Sequence, residues 1–371
     1  MSLISRVPDY ISELIPYPPG KPIQEVEREY GVSNSIKLAS NECPLGPSPR
    51  AVEAINKVKS QLHIYPDGSG FYLKRKLSEK LDIHPENIIL GNGSNEILEL
   101  IARAFINKND EAVMGDPAFI AYQLIVKSLG GKAVPVPLID YTHDLKSMAE
   151  AVTAKTRVVF VANPNNPTGT VVKKEEMAAF FKAVPDDVLI VMDEAYYEYA
   201  STMEDFEDSI SYLKALKNLI VLRTFSKAYG LAGLRAGYGI ASKDIISTLE
   251  RVRQPFNVNS LALAGAEAAL DDNEHIARGL QVNSDGMLYL TSELKQLGLS
   301  YVESFANFLL IDVEMDGKML SEALMQEGVI VRPMSGYGLT NHIRVTIGLS
   351  EENERCIKAL GACIKQIEGQ R

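Results

Sequence analysis

The feature that most limits how this chain can fold is an alternation of short apolar runs with amphipathic segments from about residue 85 onward. Strands that alternate with helices predict an α/β fold with a mostly parallel, doubly wound sheet. In such sheets the ligand site lies beyond the carboxyl ends of the strands. The predicted strands are NIIL (87–90), EAVMG (111–115), RVVFVA (157–162), VLIVM (188–192), LIVLR (219–223) and AGYGIA (236–241).

The length of 371 residues is typical of two domains. The second part of the chain is predicted to contain, in order, a helical stretch (261–298), the strand-like piece SFANFLLIDV (304–313), a helix around 317–327 and the strand-like piece HIRVTIG (342–348). We therefore expect a large domain over 36–260 and a smaller α+β domain over 261–371. Residues 1–35 predict an N-terminal arm, and the first residues of the large domain are expected to pack with the small one.

Charge and cysteine content argue against several classes of protein. The formal net charge is −10 at pH 7, whereas nucleic-acid-binding surfaces are basic. Cys43, Cys356 and Cys363 form no CxxC pair and the five histidines lack metal-binding spacing, so we expect no metal site. The cysteine pattern fits a reducing compartment, and the N-terminus carries no apolar run long enough for a signal peptide or a membrane span. We expect a cytoplasmic protein.

Two of the predicted strands lead into turns that could hold a ligand. After NIIL, the sequence GNGSNEILELIARAF begins a helix near Ser94 and Asn95. A helix N-terminus suits a phosphate, although a plain turn capped by Ser94 or Asn95 is the simpler explanation of this segment alone. After RVVFVA, the turn NPNNPTG holds Asn166 extended before a proline. This turn is either a well-made loop or an amide placed to touch a ligand.

The next two strand ends carry charged residues in apolar surroundings. Asp193 begins DEAYYEYA, with Tyr196 three residues later; a buried aspartate needs a partner, but a helix N-cap is an equally good interpretation. Lys227 lies in TFSKAYGLAGLRAGY, where burial of an ammonium is costly. The alternative for Lys227 is a surface lysine whose stem lies along the protein. The same turn also contains Thr224, Ser226 and Arg235.

One ligand would explain all four turns. It needs a phosphate for the helix N-terminus, Ser226 and Arg235, and an aldehyde for Lys227. It also needs a cationic nitrogen for Asp193 and a hydroxyl for the side chains of Tyr196 and Asn166. Pyridoxal 5'-phosphate has all of these groups.

Over nearly its whole length the sequence resembles the fold-type I pyridoxal-phosphate aminotransferases of the class I/II superfamily. The motifs NPNNPTG, DEAYYEY and SKAYGLAGLRAGY occur in the family's order and approximate spacing. The narrower resemblance is to the histidinol-phosphate aminotransferases, through PYPPGKPIQEVEREYG, KLASNECPLGPSP, YPDGSG, PFNVNSLA and GVIVRPMSGYGLTNHIRVTIG. That family often has asparagine at the position of Cys43, a difference from which we expect little effect on the chemistry.

The resemblance implies transamination between L-histidinol phosphate and 2-oxoglutarate, a step of histidine biosynthesis. Two alternatives keep the cofactor: an aromatic amino acid aminotransferase, whose substrates also present a flat ring, and a threonine-phosphate decarboxylase. A third alternative is a transcription regulator that uses an aminotransferase-like domain as a sensor. The acidic chain and the short segment before the fold argue against this third class.

The resemblance also implies a role for each cofactor-site residue. Lys227 would form an imine with the cofactor aldehyde and carry the proton during transfer. Asp193 would keep the ring nitrogen protonated, while Tyr196 and Asn166 would bond the 3' oxygen. Phe119, in GDPAFIAYQ, would stack on the ring, with a core position as the alternative. The residues expected to hold the phosphate are Ser94, Asn95, Thr224, Ser226 and Arg235.

The remaining implied residues concern the substrate and a partner subunit. Tyr65 would reach the phosphate of the neighbouring subunit's cofactor, so that each site of an obligate homodimer would be built from two chains. The alternative is an ordinary turn tyrosine, which the sequence alone favours. Arg344 would bind the substrate carboxylate through its guanidinium fork. Together with Arg332 and Tyr17, Arg344 would bind the phosphate of histidinol phosphate in one half-reaction and the carboxylates of glutamate in the other. The alternative for Arg332 is a surface arginine in a loop. The expected substrate-binding residues are Tyr17, Asn41, Asn166, Arg332 and Arg344.

Overall fold

The computed structural model describes residues 3–16 and 18–369. Within these ranges, no helix is long and apolar enough to cross a membrane. The strands are β1 (Ile36–Lys37), β2 (Ile88–Gly91), β3 (Glu111–Asp116), β4 (Lys132–Pro137), β5 (Thr156–Ala162), β6 (Leu189–Asp193), β7 (Leu219–Thr224), β8 (Gly237–Ala241), β9 (Ser300–Val302), β10 (Phe308–Asp312), β11 (Val329–Ile330), β12 (Arg332–Pro333) and β13 (His342–Thr346). The α-helices are α1 (Asp9–Ser12), α2 (Ile23–Tyr30), α3 (Pro49–Val58), α4 (Phe71–Leu81), α5 (Ser94–Phe105), α6 (Ala121–Ser128), α7 (Leu145–Glu150), α8 (Lys174–Ala183), α9 (Tyr197–Ala200), α10 (Lys243–Glu250), α11 (Ser260–Ala269), α12 (Asn273–Gln296), α13 (Gly317–Gln326) and α14 (Ser350–Glu368).

The large sheet has the strand order β2-β8-β7-β6-β5-β3-β4. β8 runs antiparallel to both of its neighbours, and all the other strands of this sheet run in one direction. The predicted fold class, a mostly parallel and doubly wound α/β sheet, is therefore confirmed.

Alternate residues of the central strands face opposite layers of helices. On β5, Val158 and Phe160 pack with α5, α6 and α10, whereas Val159 and Val161 pack with α7 and α8. A strand that is buried on both faces needs apolar residues at successive positions, because neighbouring side chains point to opposite sides. This requirement explains the continuous apolar runs in the sequence.

All six strands predicted from the apolar runs are present, and their ends lie within one residue of the predicted ends. The sequence did not reveal β4, whose segment KAVPVP contains Pro135 and Pro137. Proline has no N–H to donate to a neighbouring strand, so it argues against a strand in the middle of a sheet. β4 lies at the edge of the large sheet, where one side needs no partner.

A second sheet, of order β12-β13-β10-β9, packs with α12, α13 and α14 around a separate core. β1 pairs in parallel with β11, and Leu38 contributes to the same core, so residues 36–38 lie with the small sheet. Ala39 and Asn41 still contact Ile330 and Thr346, and the chain joins the core beside the large sheet with α3.

The helical stretch expected over 261–298 consists of two helices. α11 ends at Ala269, and the side chain of Asp272 caps α12 by accepting a hydrogen bond from the backbone N–H of His275 (3.2 Å). α11 shares its core with α3, α4 and the edge of the large sheet. The division of the chain at residue 260 stays a proposal; if core packing defines the domains, the boundary lies after α11.

Candidate active site

The carboxyl ends of β5, β6 and β7 open into one cleft beside the N-terminus of α5. Ala162, Asp193 and Thr224 are the last residues of these strands, and Ser94 is the first residue of α5. The cleft is lined by Ser94, Asn95, Phe119, Tyr122, Ala162, Pro164, Asn166, Asp193, Ala195, Tyr196, Thr224, Ser226, Lys227 and Arg235. Every residue predicted to bind the cofactor, except Tyr65, is among them.

Asp193 is a buried carboxylate with one oxygen bound and one oxygen unpaired. The hydroxyl of Tyr122 donates a hydrogen bond of 2.7 Å to Oδ2, whereas Oδ1 has no partner among the described residues. Burial raises the pKa of Asp193 to about 6, and the bond from Tyr122 opposes that rise. Helix α9 begins at Tyr197 with Tyr196 as its N-cap, so the interpretation of Asp193 as a helix cap is wrong.

Lys227 is half-buried and lies on the turn after β7. Its Nζ donates a hydrogen bond of 3.1 Å to the carbonyl oxygen of Ser40 and lies 5.6 Å from the ring centre of Tyr196. Burial, followed by the positive charge of Arg344, lowers the pKa of Lys227 to about 7. The alternative of a surface lysine does not describe this side chain.

The other end of the cleft combines a helix N-terminus with a guanidinium. Gly93 is the N-cap of α5 and no side chain caps this helix, so the alternative with Ser94 or Asn95 as the cap is wrong. A Cβ on Gly93, whose φ is +77°, would lie 2.7 Å from Nη2 of Arg235. Arg235 also donates to the hydroxyl of Ser226 over 3.3 Å. Backbone N–H groups and a positive charge therefore meet here, as an anion requires.

The hydroxyl groups of Thr224 and Tyr196 each accept a hydrogen bond from another residue, Thr224 from Ser226 and Tyr196 from Asn41. Thr224 Oγ1 accepts a hydrogen bond from the backbone N–H of Ser226 (3.1 Å), which shapes the turn before Lys227. Burial raises the pKa of Tyr196 to about 12, so its hydroxyl stays protonated at neutral pH.

Arg344, on β13 of the small sheet, reaches across to the cleft. Its Nη1 donates to Oδ1 of Asn166 (2.5 Å) and its Nη2 donates to the carbonyl of Ala39 (2.9 Å). The guanidinium carbon lies 5.2 Å from the ring centre of Phe308, and Nε has no partner among the described residues. A buried guanidinium with an unpaired N–H is suited to bind an anion.

Asn41 is buried and both groups of its side-chain amide are bound. Nδ2 donates to the hydroxyl of Tyr196 (2.8 Å), and Oδ1 accepts from the hydroxyl of Thr346 (3.1 Å). Asn41 therefore touches the wall of the cleft without lining it.

Two further predicted residues, Tyr65 and Arg332, do not line the cleft. Tyr65 is 79% exposed and its ring stacks on Phe256 with 4.8 Å between the ring centres. Arg332 donates a hydrogen bond of 2.8 Å to the carbonyl of Pro18. Tyr17 lies outside the described residues. Phe119 does line the cleft and is oriented edge-on to Tyr122.

Sequence reasoning missed two sets of polar residues next to the site. Tyr122 occupies a helical position in an apolar segment and resembles an ordinary core residue. Glu194 and Arg223 form a fully buried ion pair of 2.7 Å directly beside Asp193 and Thr224, and so tie together the ends of β6 and β7. The arginine inside the apolar run LIVLR was the available signal for this pair.

The chain matches the family model described as aminotransferase class I and II over residues 33–360. It is 48% identical to the histidinol-phosphate aminotransferase of Moorella thermoacetica over 361 residues, which cover 97% of this chain and 93% of that protein. It is 49% identical to histidinol-phosphate aminotransferase 1 of Nitrosococcus oceani, over 96% of each chain.

Two solved structures have the same fold as this chain. The crystal structure of histidinol-phosphate aminotransferase from Sinorhizobium meliloti, in complex with pyridoxal-5'-phosphate, is 29% identical to this chain with a TM-score of 0.90 and 98% coverage of both chains. An aspartate aminotransferase of Thermus thermophilus shares the fold, at 23% identity and a TM-score of 0.83 over 96% of this chain and 99% of that one. The chain belongs to the class I and II aminotransferases and, within them, to the histidinol-phosphate aminotransferases.

Proposed function

We propose that this chain transfers the amino group of L-histidinol phosphate to 2-oxoglutarate, with pyridoxal phosphate as cofactor, in histidine biosynthesis. The observation that carries the proposal is the near full-length similarity to enzymes of that name. The chemistry of the cleft supports it, because a lysine of lowered pKa and a half-satisfied buried carboxylate line the same space.

The groups in the cleft fit pyridoxal phosphate. A buried oxygen without a partner is costly, and a cationic ring nitrogen would satisfy Oδ1 of Asp193. Gly93 leaves open the space beside Arg235 that a Cβ would fill, where a phosphate would meet the N-terminus of α5. Reaction with an aldehyde requires a neutral amine, and the lowered pKa of Lys227 makes that form available near neutral pH.

The bound cofactor supplies an electron sink and a carrier for the amino group. Asp193 would hold its ring nitrogen, and Tyr196 and Asn166 would hold its 3' oxygen. Phe119 would cover one face of the ring. The residues proposed to hold the phosphate are Ser94, Asn95, Thr224, Ser226 and Arg235.

Lys227 is the residue that we propose for proton transfer. An amine with a pKa of about 7 can both accept and return a proton at neutral pH, because the two protonation states are similarly populated. The carbonyl of Ser40 accepts a hydrogen bond from Nζ and orients this amine in the cleft.

Arg344 is the proposed anion-binding residue for the substrate. Asn166 and Ala39 hold its two Nη atoms in place, which orients the guanidinium before an anion arrives. Arg332 and Tyr17 are proposed to assist with the doubly charged phosphate of histidinol phosphate. Asn41 is retained as a proposed substrate residue, although its bonds to Tyr196 and Thr346 favour an effect through Tyr196.

A homodimer with sites shared between subunits and a cytoplasmic location belong to the same proposal. Tyr65 is exposed and does not line the cleft of its own chain, which supports a role at the site of a second copy. The three cysteines are free and buried, which is compatible with a reducing compartment.

The test is a comparison of amino donors with the purified, cofactor-loaded enzyme. Histidinol phosphate, phenylalanine and threonine phosphate are each supplied with 2-oxoglutarate, and kcat/KM is measured for each. We expect histidinol phosphate to be preferred. A preference for phenylalanine would replace the proposal with an aromatic amino acid aminotransferase, and release of carbon dioxide from threonine phosphate would replace it with a decarboxylase.

A further inference from the structure

We propose that Tyr122 is a positioning residue, which holds Asp193 charged and turned so that its unpaired oxygen meets the ring nitrogen of the cofactor. The inference rests on the proposed function, because it concerns how this chain treats pyridoxal phosphate. It starts from one contact, the hydrogen bond of 2.7 Å from the Tyr122 hydroxyl to Oδ2 of Asp193.

The ring of Tyr122 is held on two sides by other aromatic rings. It stacks on Phe160 with 4.9 Å between the ring centres and an interplanar angle of 9°, and it meets Phe119 edge-on at 5.6 Å. Phe160 belongs to β5, the strand beside β6, and Tyr122 is only 1% exposed. Packing on two sides and near-complete burial therefore orient the phenol toward Asp193.

The hydrogen bond from Tyr122 makes the two oxygens of the Asp193 carboxylate different from each other. Oδ2 is occupied by the phenol, so Oδ1 is the oxygen left for a ligand. A hydrogen bond donated to a carboxylate stabilises its charged form, whereas burial favours the neutral acid. Burial and the negative charge of Asp193 raise the pKa of Tyr122 well above its ordinary value, so the phenol remains the donor.

The hydrogen bond from Tyr122 thus opposes the rise in pKa that burial causes at Asp193, the residue that has to pair with a cationic nitrogen. Without the phenol, Asp193 would take up a proton more readily and would also lose its fixed orientation. A neutral acid holds a ring cation less well than a carboxylate does, so the ring nitrogen would release its proton more easily.

The variant that tests this inference is Tyr122→Phe, which keeps the aromatic contacts and removes only the hydroxyl. The matched control is Tyr229→Phe, which removes the hydroxyl of another buried tyrosine, one that does not line the cleft. Two readouts besides activity are used: the ¹⁵N chemical shift of ring-labelled pyridoxal phosphate bound to the protein, and the affinity of the cofactor-free protein for pyridoxal phosphate and for its 1-deaza analogue, which has no ring nitrogen.

In Tyr122→Phe we expect the ¹⁵N shift to move towards that of the unprotonated ring and the affinity for pyridoxal phosphate to fall about tenfold, the scale of one charge-assisted bond. The affinity for the 1-deaza analogue should not fall in the same way. Tyr229→Phe should leave the ¹⁵N shift unchanged. In an Asp193→Asn background, adding Tyr122→Phe should cause no further loss of affinity, because the carboxylate through which Tyr122 acts is already absent.

Equal losses of affinity for both ligands, or an unchanged ¹⁵N shift in Tyr122→Phe, would overturn the inference and leave Tyr122 as a core residue. Either result leaves the proposed function intact, since the wild-type protein would still bind cofactor and transfer amino groups. Failure of the wild type to bind pyridoxal phosphate would instead overturn the proposed function itself.

Discussion

At the scale of single residues, burial favours the uncharged form of both Lys227 and Asp193. It lowers the pKa of the amine to about 7 and raises the pKa of the carboxylic acid to about 6, because the neutral form is favoured in both. Pairs of groups whose pKa values are moved by their surroundings are typical of sites that transfer protons. In the cofactor-free protein, both groups are held in surroundings that disfavour their charged forms.

Because burial disfavours the charged form of Lys227, we predict a pH-dependent effect of Lys227→Met on the free energy of unfolding. The pKa of Lys227 falls from 10.5 to about 7 on folding, so between these pH values the unfolded chain binds more protons and wild-type stability rises with pH. Cofactor-free Lys227→Met should therefore be more stable than wild type at pH 7. Its advantage should shrink by at most about 1.4 kcal/mol for each pH unit up to pH 10.

The measurement is urea unfolding of both cofactor-free proteins at pH 7, 8 and 9. Lys146→Met, at a lysine whose side chain is 86% exposed, is the control and should differ from wild type by the same small amount throughout. An advantage of Lys227→Met that does not change with pH would mean that Lys227 keeps its ordinary pKa in the folded protein.

A second prediction at this scale concerns Arg332 and the choice of amino donor. A doubly charged phosphate gains more from an additional guanidinium than an uncharged side chain does, and charge-assisted bonds are worth about 1.5–3 kcal/mol. Arg332→Ala should lower kcat/KM for histidinol phosphate by roughly tenfold to a hundredfold. Phenylalanine serves as the comparison donor and should be affected much less. Equal losses for both donors would indicate a structural or uniformly electrostatic role.

At the scale of elements, the segment 39–41 joins three parts of the candidate site. The carbonyl of Ala39 accepts from Arg344, the carbonyl of Ser40 accepts from Lys227, and the side chain of Asn41 donates to Tyr196. This segment follows β1, which pairs with β11 in a separate two-stranded sheet. Two backbone carbonyls and one side chain of this short segment therefore bind site residues from different parts of the fold, and a displacement of the segment would disturb all three contacts.

The turn after Lys227 gives a prediction about glycine. Gly230 has a φ of +67°, and a Cβ there would lie 2.1 Å from the carbonyl oxygen of Gly46. A Cβ on Gly233 would meet no atom of the described residues within 4 Å. Gly230→Ala should lower the melting temperature and weaken cofactor binding, because the turn that presents Lys227 would have to move. Gly233→Ala is the matched control and should change little. Thermal unfolding and cofactor titration measure both effects, and similar results for the two variants would contradict the steric argument.

The parts of the site that were predictable from sequence are those that follow apolar strands. Asp193 and Lys227 are conspicuous because each is a charge at the end of a run that has to be buried. Tyr122 was not predictable, since an aromatic residue on the apolar face of a helix has an adequate explanation in packing. The contacts of Ser40 were hidden for another reason: they are made by the backbone, and a backbone carbonyl leaves no trace in a residue pattern.

At the scale of the whole molecule, several exposed apolar side chains come from the same stretch of chain as Tyr65, residues 62–72. Leu62, Ile64, Phe71 and Tyr72 are each between 56% and 62% exposed, and Tyr65 is 79% exposed. Exposed apolar residues that occur together are typical of a surface that binds another protein. This set of residues supports the proposal that a second copy of the chain covers this region and that Tyr65 of the first copy reaches the cleft of the second.

Mixing two impaired variants tests this arrangement. Lys227→Ala should lack the proton-transferring amine, and Tyr65→Ala should lack the contact to the neighbouring subunit's phosphate. If a site uses Lys227 of one chain and Tyr65 of the other, one site of each mixed dimer contains both native residues and the other contains neither. Random exchange of equal amounts should then restore about a quarter of the wild-type sites, since half of the dimers are mixed and half of their sites are native. Differently tagged subunits would verify that mixed dimers have formed before activity is measured. If activity in that sample stays at the average of the two separate variants, Tyr65 acts within its own subunit or outside both sites, and the shared-site arrangement is wrong.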